Sequence, residues 1–337
     1  MKRTALVDLH LHLDGSLDLV WAYKESLKNG NISPETTFEE YYDIVYRTKY
    51  KNREDGFRKF ELMCNVLQTR ENLFYAAYDL VRRLDEKGMI YAEIRFASQQ
   101  HCKEGLTQKE ALQAVIDGAA KGMEDFPDVK VGIINCLMHK GPDALYNWRE
   151  NEETVRVSAE LLGKGLVGLD LAGYENNGDF RLYRPLIEMA HEYGIPCTVH
   201  AGEMGIGEHI TEALKWKPQR IGHGIDCIQD ERIIEELRRT QIPLEVCVSS
   251  NVRHELTYAA HPVRTMINRG LCVTLNTDNM TFGRTDMAHE HAMMRQIGVS
   301  FGQLRKCTFN AINAAFCSNE LKKELTAKAI RIMSGKE

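Results

Sequence analysis

Short runs of β-branched and aliphatic residues recur along the whole chain and alternate with segments of helical periodicity. Apolar runs of this length, bounded by turn residues, are typical of buried strands, whereas apolar positions three and four apart are typical of helices. Eight strands are predicted, at residues 5–11, 89–96, 129–137, 167–171, 196–199, 220–222, 244–248 and 272–275. Helices are predicted between the later strands, at residues 107–124, 152–162, 183–193, 230–239 and 262–268.

Glycine ends several of these helices just before the next strand, at Gly88, Gly165, Gly194 and Gly270. A residue in the left-handed conformation closes many helices, and glycine adopts it without steric cost. The chain is therefore predicted to repeat βα units. Eight such units with nearly continuous apolar strands predict an α/β fold in which a parallel sheet closes into a (β/α)8 TIM barrel. A doubly wound open sheet is the alternative.

The connection after the first strand is much longer than one crossover helix requires. It covers about residues 16–87 and contains helical patterns at residues 38–50 and 54–67. We predict a helical lid inserted at the C-terminal face of the barrel. Three of its apolar residues are spaced to share one helical face, although core packing explains each equally well: Phe57, Phe60 and Met63.

Composition and charge narrow the class of protein further. The chain is 43% hydrophobic and 27% charged, which is typical of a protein with a sizeable core and excludes disordered and fibrous classes. A net charge of -5 creates no field that attracts nucleic acid or an anionic membrane. No linker of distinct composition marks a boundary, so residues 1–337 are predicted to form one domain.

The cysteines and the start of the chain indicate a cytoplasmic protein. The nine cysteines are odd in number, scattered and without a Cys-x-x-Cys pair, so we expect reduced core thiols and no thiolate zinc site. Only residues 5–7 are apolar before Asp8, which is too short for a signal peptide. No stretch reaches the ~18 apolar residues that would span a membrane.

Ionisable residues gather at the C-terminal ends of the predicted strands, where a (β/α)8 barrel builds its active site. They follow strands 1, 4, 5, 6 and 8 and are expected to converge on one mouth: His10, His12, Asp14, Asp170, His200, Glu203, His223 and Asp278. The convergence of these ionisable residues on one mouth predicts an enzyme more strongly than any single motif does.

His10 and His12 are two residues apart on a strand, so both imidazoles point to the same face, which in a barrel is the lumen. Buried imidazoles require partners, and a metal ion is one that two of them can share. His200 adds a third nitrogen and Asp278 an oxygen, a donor set that suits zinc and leaves a position for water. We expect one zinc ion per chain.

Glu203 follows Gly202, which lets the chain turn sharply and bring the carboxyl into the site without making it a ligand. A carboxyl group in that place suits general acid and base catalysis. His223 lies between two glycines and is open to approach from both sides, so it is a candidate for orienting or deprotonating the attacking water.

Six segments together resemble, in order and spacing, the adenosine deaminase family of the amidohydrolase superfamily. They span the whole chain: His10-Leu-His12-Leu-Asp14-Gly15-Ser16, Asp170-Leu-Ala-Gly173, His200-Ala-Gly-Glu203, Arg220-Ile-Gly-His223-Gly, Ser249-Ser-Asn251 and Asn276-Thr-Asp278. The resemblance supports the barrel independently of the strand pattern. It implies a zinc-dependent hydrolase that converts adenosine and 2′-deoxyadenosine to their 6-oxo products and releases ammonia, a reaction of purine salvage.

The resemblance also implies a role for each matching residue. The implied zinc ligands are His10, His12, His200 and Asp278. Glu203 would protonate purine N1, while His223 and Asp278 would activate and hold the attacking water. The implied substrate contacts are His12, Asp14 at a ribose hydroxyl, Gly173 at purine N3, and Asn279.

Asn279 is a departure from the family, because many members carry an aspartate there that contacts purine N7. An amide donates a hydrogen bond at any pH, whereas a carboxyl group must hold a proton to do so. We therefore expect Asn279 to face the base still.

Several alternatives remain open at this point. Adenine, AMP or aminodeoxyfutalosine could replace the nucleoside as substrate, although no cluster of arginine or lysine beside the motifs favours a phosphate. A purine-binding barrel without turnover is disfavoured because every catalytic position is filled.

A different amidohydrolase reaction would use a second metal and a carbamylated lysine, for which Lys140 after strand 3 is a loose candidate. His289 and His291 resemble a second metal clip, but a helical setting would point them about 200° apart.

Overall fold

Eight parallel strands follow one another in sequence order around a single sheet. The computed structural model describes residues 4–46, 53–176, 178–252 and 256–335. Residues 53–58 are described by their backbone only. The strands are β1 (Leu6–His12), β2 (Met89–Phe96), β3 (Lys130–His139), β4 (Leu166–Gly173), β5 (Cys197–Ala201), β6 (Arg220–His223), β7 (Leu244–Val246) and β8 (Val273–Leu275). The predicted TIM barrel is confirmed, and the open-sheet alternative is wrong.

The barrel closes through Asp278, which lies three positions after the end of β8. The backbone N–H of His12 donates to the carbonyl of Asp278 at 2.7 Å, and the N–H of Asp278 donates to the carbonyl of His10 at 2.8 Å. One layer below, the side-chain Oδ1 of Asn276 accepts the N–H of Leu9 at 2.9 Å. The seam of the barrel is thus built from residues that the sequence places in the active site, so fold closure and site geometry are one arrangement.

Fifteen helices are found in the described residues, and most surround the barrel. They are α1 (Leu19–Lys28), α2 (Phe38–Tyr46), α3 (Arg53–Val66), α4 (Arg70–Glu86), α5 (Gln108–Asp125), α6 (Trp148–Leu161), α7 (Arg184–Glu192), α8 (Glu208–Lys215), α9 (Glu231–Thr240), α10 (Val248–Asn251), α11 (Val263–Asn268), α12 (Met280–Gly283), α13 (Met287–Gln296), α14 (Phe301–Ala314) and α15 (Asn319–Ser334). None of these helices combines the length and apolarity needed to cross a membrane.

The helix ends follow three of the four predicted glycine signals. Gly88, Gly194 and Gly270 directly follow the C-cap residue of a helix and have positive φ angles, as predicted. Gly165 also has a positive φ, but α6 already ends at Leu161, so this glycine lies in the turn before β4 and the prediction that it closes a helix is wrong. The predicted helix at residues 38–50 is observed to Tyr46, and its remainder lies outside the described residues.

The long connection after β1 contains four helices, α1 to α4, of which α2 and α3 overlap the predicted helical patterns at residues 38–50 and 54–67. Its last helix, α4, packs against α5 in the outer ring and so serves as the helix of the first βα unit. In α3, the Phe60 ring packs edge-on against Phe282 of α12 with centroids 4.6 Å apart. Met63 is fully buried, and the Tyr41 hydroxyl donates to its sulfur at 3.7 Å. The side chain of Phe57 lies outside the described part of the chain.

The lower lumen of the barrel contains paired charges as well as apolar side chains. The Arg220 guanidinium is fully buried and donates to Glu93 and Glu245, each at 2.5 Å. It also donates to the carbonyl of Ala314 at 2.9 Å and lies 3.6 Å from the centroid of the Phe316 ring. The chain after α14 therefore closes the N-terminal end of the barrel by contacting an arginine inside it.

Close packing of α4 on α5 depends on Gly118, because a Cβ atom there would lie 2.1 Å from the carbonyl oxygen of Phe74. We predict that Gly118→Ala destabilises the protein by about 1–3 kcal/mol, since the helices must separate to accommodate the methyl group. Thermal or urea unfolding measures this loss. Gly302→Ala is the matched helical control, with the nearest atom 3.9 Å away, and should leave stability unchanged or slightly raised. Equal effects of the two substitutions would contradict the packing argument.

Candidate active site

Four predicted metal ligands meet at the C-terminal mouth of the barrel. The nitrogen donors of His10, His12 and His200 lie within 4.8 Å of one another. Asp278 Oδ1 lies 3.6 Å from His10 Nε2 and 3.4 Å from His12 Nε2. Alternation along β1 places His10 and His12 on the lumen side, as the sequence predicted, while β5 and the segment after β8 contribute the other two donors.

The donor atoms fit a metal ion. His10 Nε2 is buried and has no hydrogen-bond partner among the described residues, which is costly for a polar atom unless something else occupies that direction. Three imidazoles and one carboxylate form a donor set that zinc prefers. Cys247 also lies near His10 and His223, but burial raises the pKa of its thiol well above the usual range and so disfavours the thiolate.

Carboxylates outside the cluster fix the orientation of two of its histidines. Glu245 Oε2 lies 2.9 Å from His10 Nδ1, and Asp170 Oδ1 lies 3.1 Å from His200 Nδ1. Each histidine therefore directs its Nε2 toward the cluster, which is the arrangement found around metal-binding imidazoles.

A single guanidinium joins these two carboxylates. Arg95 on β2 donates to Asp170 at 2.8 Å and to Glu245 at 2.9 Å, and all three side chains are fully buried. Burial by itself would raise the pKa of Asp170, but the nearby charges of His200 and Arg95 outweigh it and hold that pKa below its usual range. The pKa of Glu245 is likewise held well below its usual range, because Arg95 and Arg220 outweigh burial. Both carboxylates thus stay ionised.

Glu203 and His223 face each other beside the cluster. Glu203 Oε2 lies 3.2 Å from His223 Nε2, and 16% of the Glu203 side chain is exposed. Burial raises the pKa of Glu203 to about 8, and the negative charges of Glu175, Asp278 and Asp226 act in the same direction. Gly202 has a φ of +72°, which confirms the predicted sharp turn before Glu203.

His223 and Asp278 are held in an unusual backbone conformation. Their φ angles are +60° and +62°, in a region that side-chain-bearing residues rarely adopt and that is concentrated at functional sites. Asn251 Nδ2 lies 3.2 Å from His223 Nδ1, and the Ser250 hydroxyl donates to Asp278 Oδ2 at 2.5 Å. Burial, reinforced by His10 and His200, lowers the pKa of His223 well below its usual range, so its imidazole is neutral.

The three remaining predicted substrate contacts line the same mouth. Asp14 begins a short 3-10 helix after β1, and burial raises the pKa of its carboxyl to about 6. Gly173 ends β4 with a φ of +111°. Asn279 follows Asp278, and its buried Oδ1 has no hydrogen-bond partner among the described residues. A Cβ atom on Gly15 would overlap this amide, so the glycine makes the space in which Asn279 lies.

Residues that the sequence analysis set aside stay outside the cluster. Lys140 follows the end of β3 and is exposed, as expected for a loop residue. His289 and His291 lie on α13, as predicted, and His291 Nδ1 bonds to the Thr4 hydroxyl at 2.9 Å.

Sequence reasoning missed the residues that support the cluster, namely Arg95 and Glu245. The signal was present, because each is an ionisable residue inside an apolar strand and a buried charge must be paired. What the sequence lacked was the partner of each charge, since Arg95 and Glu245 are 150 positions apart.

Comparison with known proteins points to one family. The sequence profile of the adenosine deaminase family matches residues 5–332. The chain is 36% identical to an adenosine deaminase of Haemophilus ducreyi over 334 residues, which cover 97% of this chain and 96% of the relative. Its structure resembles adenine deaminase from Arthrobacter aurescens with a TM-score of 0.85, 25% identity, and coverage of 98% and 99% of the two chains. An amidohydrolase from Burkholderia ambifaria, with bound zinc, shares the fold at a TM-score of 0.87, 18% identity, and 98% and 91% coverage.

We predict that Asp170→Asn weakens metal binding by about 10–100-fold, because the amide no longer fixes His200 as the carboxylate does. Competition with a chromogenic chelator measures the affinity. His289→Ala is the control that removes an imidazole outside the cluster, and it should leave one metal ion bound with unchanged affinity. Unchanged affinity in Asp170→Asn would contradict the orienting role.

Proposed function

The chain belongs to the adenosine deaminase family, and on that premise we propose that it hydrolyses adenosine and 2′-deoxyadenosine to inosine and 2′-deoxyinosine with release of ammonia. The observation that carries this proposal is the convergence of four metal-donor side chains with Glu203 and His223 at one end of the barrel. The purine nucleoside is a small molecule, and a place in purine salvage follows from the reaction.

The metal in this proposal is one zinc ion held by His10, His12, His200 and Asp278. The unpartnered Nε2 of His10 and the nitrogen-rich donor set support the choice of these residues. When bound, zinc supplies a Lewis acid that lowers the pKa of water enough for it to act as a nucleophile at neutral pH.

Glu203 acts as the general acid in this mechanism. Its raised pKa keeps the carboxyl protonated at neutral pH, so it can donate that proton to purine N1. Protonation of N1 makes C6 electrophilic as water adds there. Glu203 then accepts a proton from the new oxygen on C6 as the amino group leaves.

His223 and Asp278 act on the water. The neutral imidazole of His223 takes a proton from the water at Nε2 as the oxygen attacks C6, and it later gives this proton to the departing amine. This role requires the tautomer that carries its proton on Nδ1, with the amide of Asn251 turned so that its oxygen accepts that proton. Asp278 accepts a hydrogen bond from Ser250 and remains ionised, because the nearby histidines outweigh burial and lower its pKa. The protons balance, and the products are the 6-oxo purine and ammonia.

The remaining contacts define the substrate class. Asn279 can donate to purine N7 at any pH, Gly173 can donate its N–H to N3, and Asp14 can bind a ribose hydroxyl together with His12. The Cys64 thiol donates to the Asp14 carboxyl at 3.6 Å, and a carboxyl group at this end of the site disfavours a phosphate. This favours a nucleoside over AMP, while adenine and aminodeoxyfutalosine are the other candidates.

We further propose that the enzyme works in the cytoplasm. All nine cysteines are free, and none is bonded to another. Free thiols in this number are typical of a reducing compartment.

Parallel assays of ammonia release test the proposed substrate class. Purified zinc-loaded protein is offered adenosine, 2′-deoxyadenosine, adenine, AMP and aminodeoxyfutalosine. We expect rapid turnover of the two nucleosides only, because Asp14 binds a ribose hydroxyl and disfavours a phosphate. Preference for another purine would reassign the substrate, and zinc-loaded protein inactive on all five would contradict deamination of 6-aminopurines.

We predict that Glu203→Gln abolishes turnover while zinc content and inosine affinity are retained, because the amide fills the same space but carries no acidic proton. Removal of a general acid lowers the rate by about 10²–10⁴-fold. Steady-state kinetics and metal analysis measure both quantities. Glu208→Gln makes the same chemical change on an exposed position of α8 and should leave kcat unchanged. Near-normal kcat in Glu203→Gln would contradict the mechanism.

A further inference from the structure

The segment that carries Glu203 is anchored by its backbone to buried and half-buried carboxylates. Glu175, which lies after β4, accepts the N–H groups of Gly202 at 2.8 Å, Glu203 at 3.0 Å and Met204 at 2.7 Å. The next N–H, of Gly205, donates to Asp226 at 2.8 Å. Four consecutive amides therefore point at carboxylate oxygens.

Two glycines create this geometry. Gly202 and Gly205 have φ angles of +72° and +91°, so the chain curls and turns its successive N–H groups to one side. Backbone amides arranged in this way form a concave site for an anion. Here the anion is a side chain of the protein itself, and Glu175 is 1% exposed. Among the ion pairs of the described residues, Glu175 takes part in one, with His209, whose Nδ1 lies 3.4 Å from Glu175 Oε2.

We propose that Glu175 is a positioning residue for the deamination reaction, acting through the backbone on Glu203. This inference rests on the proposed function, because it concerns the placement of the proton donor. Glu175 lies 28 positions before Glu203 in the chain, and the two meet because they follow the neighbouring, paired strands β4 and β5.

The position of Glu203 also depends on its side-chain contact and on the residue before it. Its carboxyl contacts His223 at 3.2 Å, and its backbone follows a glycine with little intrinsic preference for one conformation. Without Glu175, one buried and two part-buried N–H groups would lose their acceptor, and the segment would change conformation to bond them elsewhere. A displacement of about 1 Å in a catalytic group costs roughly 100-fold in rate.

Glu175→Gln tests the proposal because it preserves size and removes the charge. The single amide oxygen cannot accept all three N–H groups, and the amide NH2 would face other donors. We expect kcat for adenosine to fall by about 100-fold, while KM, the inhibition constant of inosine and zinc content stay unchanged. Hydrogen exchange of the peptide that contains residues 202–205 should become faster.

Three further variants separate positioning from general stability. Glu175→Asp keeps the charge on a shorter side chain and should recover part of kcat. Asp226→Asn weakens the acceptor of the Gly205 N–H, which lies beyond Glu203, and should lower kcat less than Glu175→Gln does. Glu208→Gln should match the wild type in kcat and in exchange.

The outcomes distinguish this inference from the proposed function. Unchanged kcat or unchanged exchange in Glu175→Gln, with an active wild type, overturns the positioning role alone. Joint loss of kcat, zinc and thermal stability in both Glu175 variants also overturns it, because that pattern reports a structural role. A zinc-loaded wild type that deaminates no purine overturns the proposed function and with it the reaction that Glu175 would serve. Selective loss of kcat with faster exchange supports the inference.

Discussion

The geometry of the candidate active site depends on one buried guanidinium. Arg95 joins Asp170 to Glu245, and these carboxylates in turn hold His200 and His10 with their Nε2 atoms directed at the same point. A buried arginine is tolerated only when its charge is matched, so each carboxylate stabilises the cation and orients a histidine at once. The same charges therefore stabilise the lumen and prepare a metal site.

The closure of the barrel and the assembly of the site share residues as well. Asp278 closes the seam to β1 through its backbone and directs its carboxylate toward the histidines, and it does so at a φ of +62°. His223 adopts a similar conformation at the end of β6. Such backbone conformations cost of order 1–3 kcal/mol each, and the surrounding strands hold them in place. The strands supply rigidity, and the segments just beyond them supply the chemistry.

Much of this arrangement could be predicted from the sequence, because strand alternation and strand ends are local signals. The spacing of His10 and His12 predicted a shared face, and the turn at Gly202 predicted that Glu203 enters the site. Arg95 and Glu175 could not be assigned in the same way. Their roles depend on partners that only the closed barrel brings near, and Glu175 lies in a loop whose sequence is typical of an exposed turn. Local pattern thus predicts which residues carry chemistry, whereas the residues that place them depend on tertiary contacts.

The paired charges inside the barrel limit how this sequence can change during evolution. Two arginines and three carboxylates are all fully buried there: Arg95, Arg220, Glu93, Asp170 and Glu245. Loss of either arginine leaves buried carboxylates without their partner, and breaking a buried ion pair in this way costs about 3–5 kcal/mol, so such substitutions are removed by selection. These five positions are expected to drift only through paired exchanges, and sequences related to this chain should show them covarying as one unit. Attempts to transplant or redesign the site should accordingly move the five residues together.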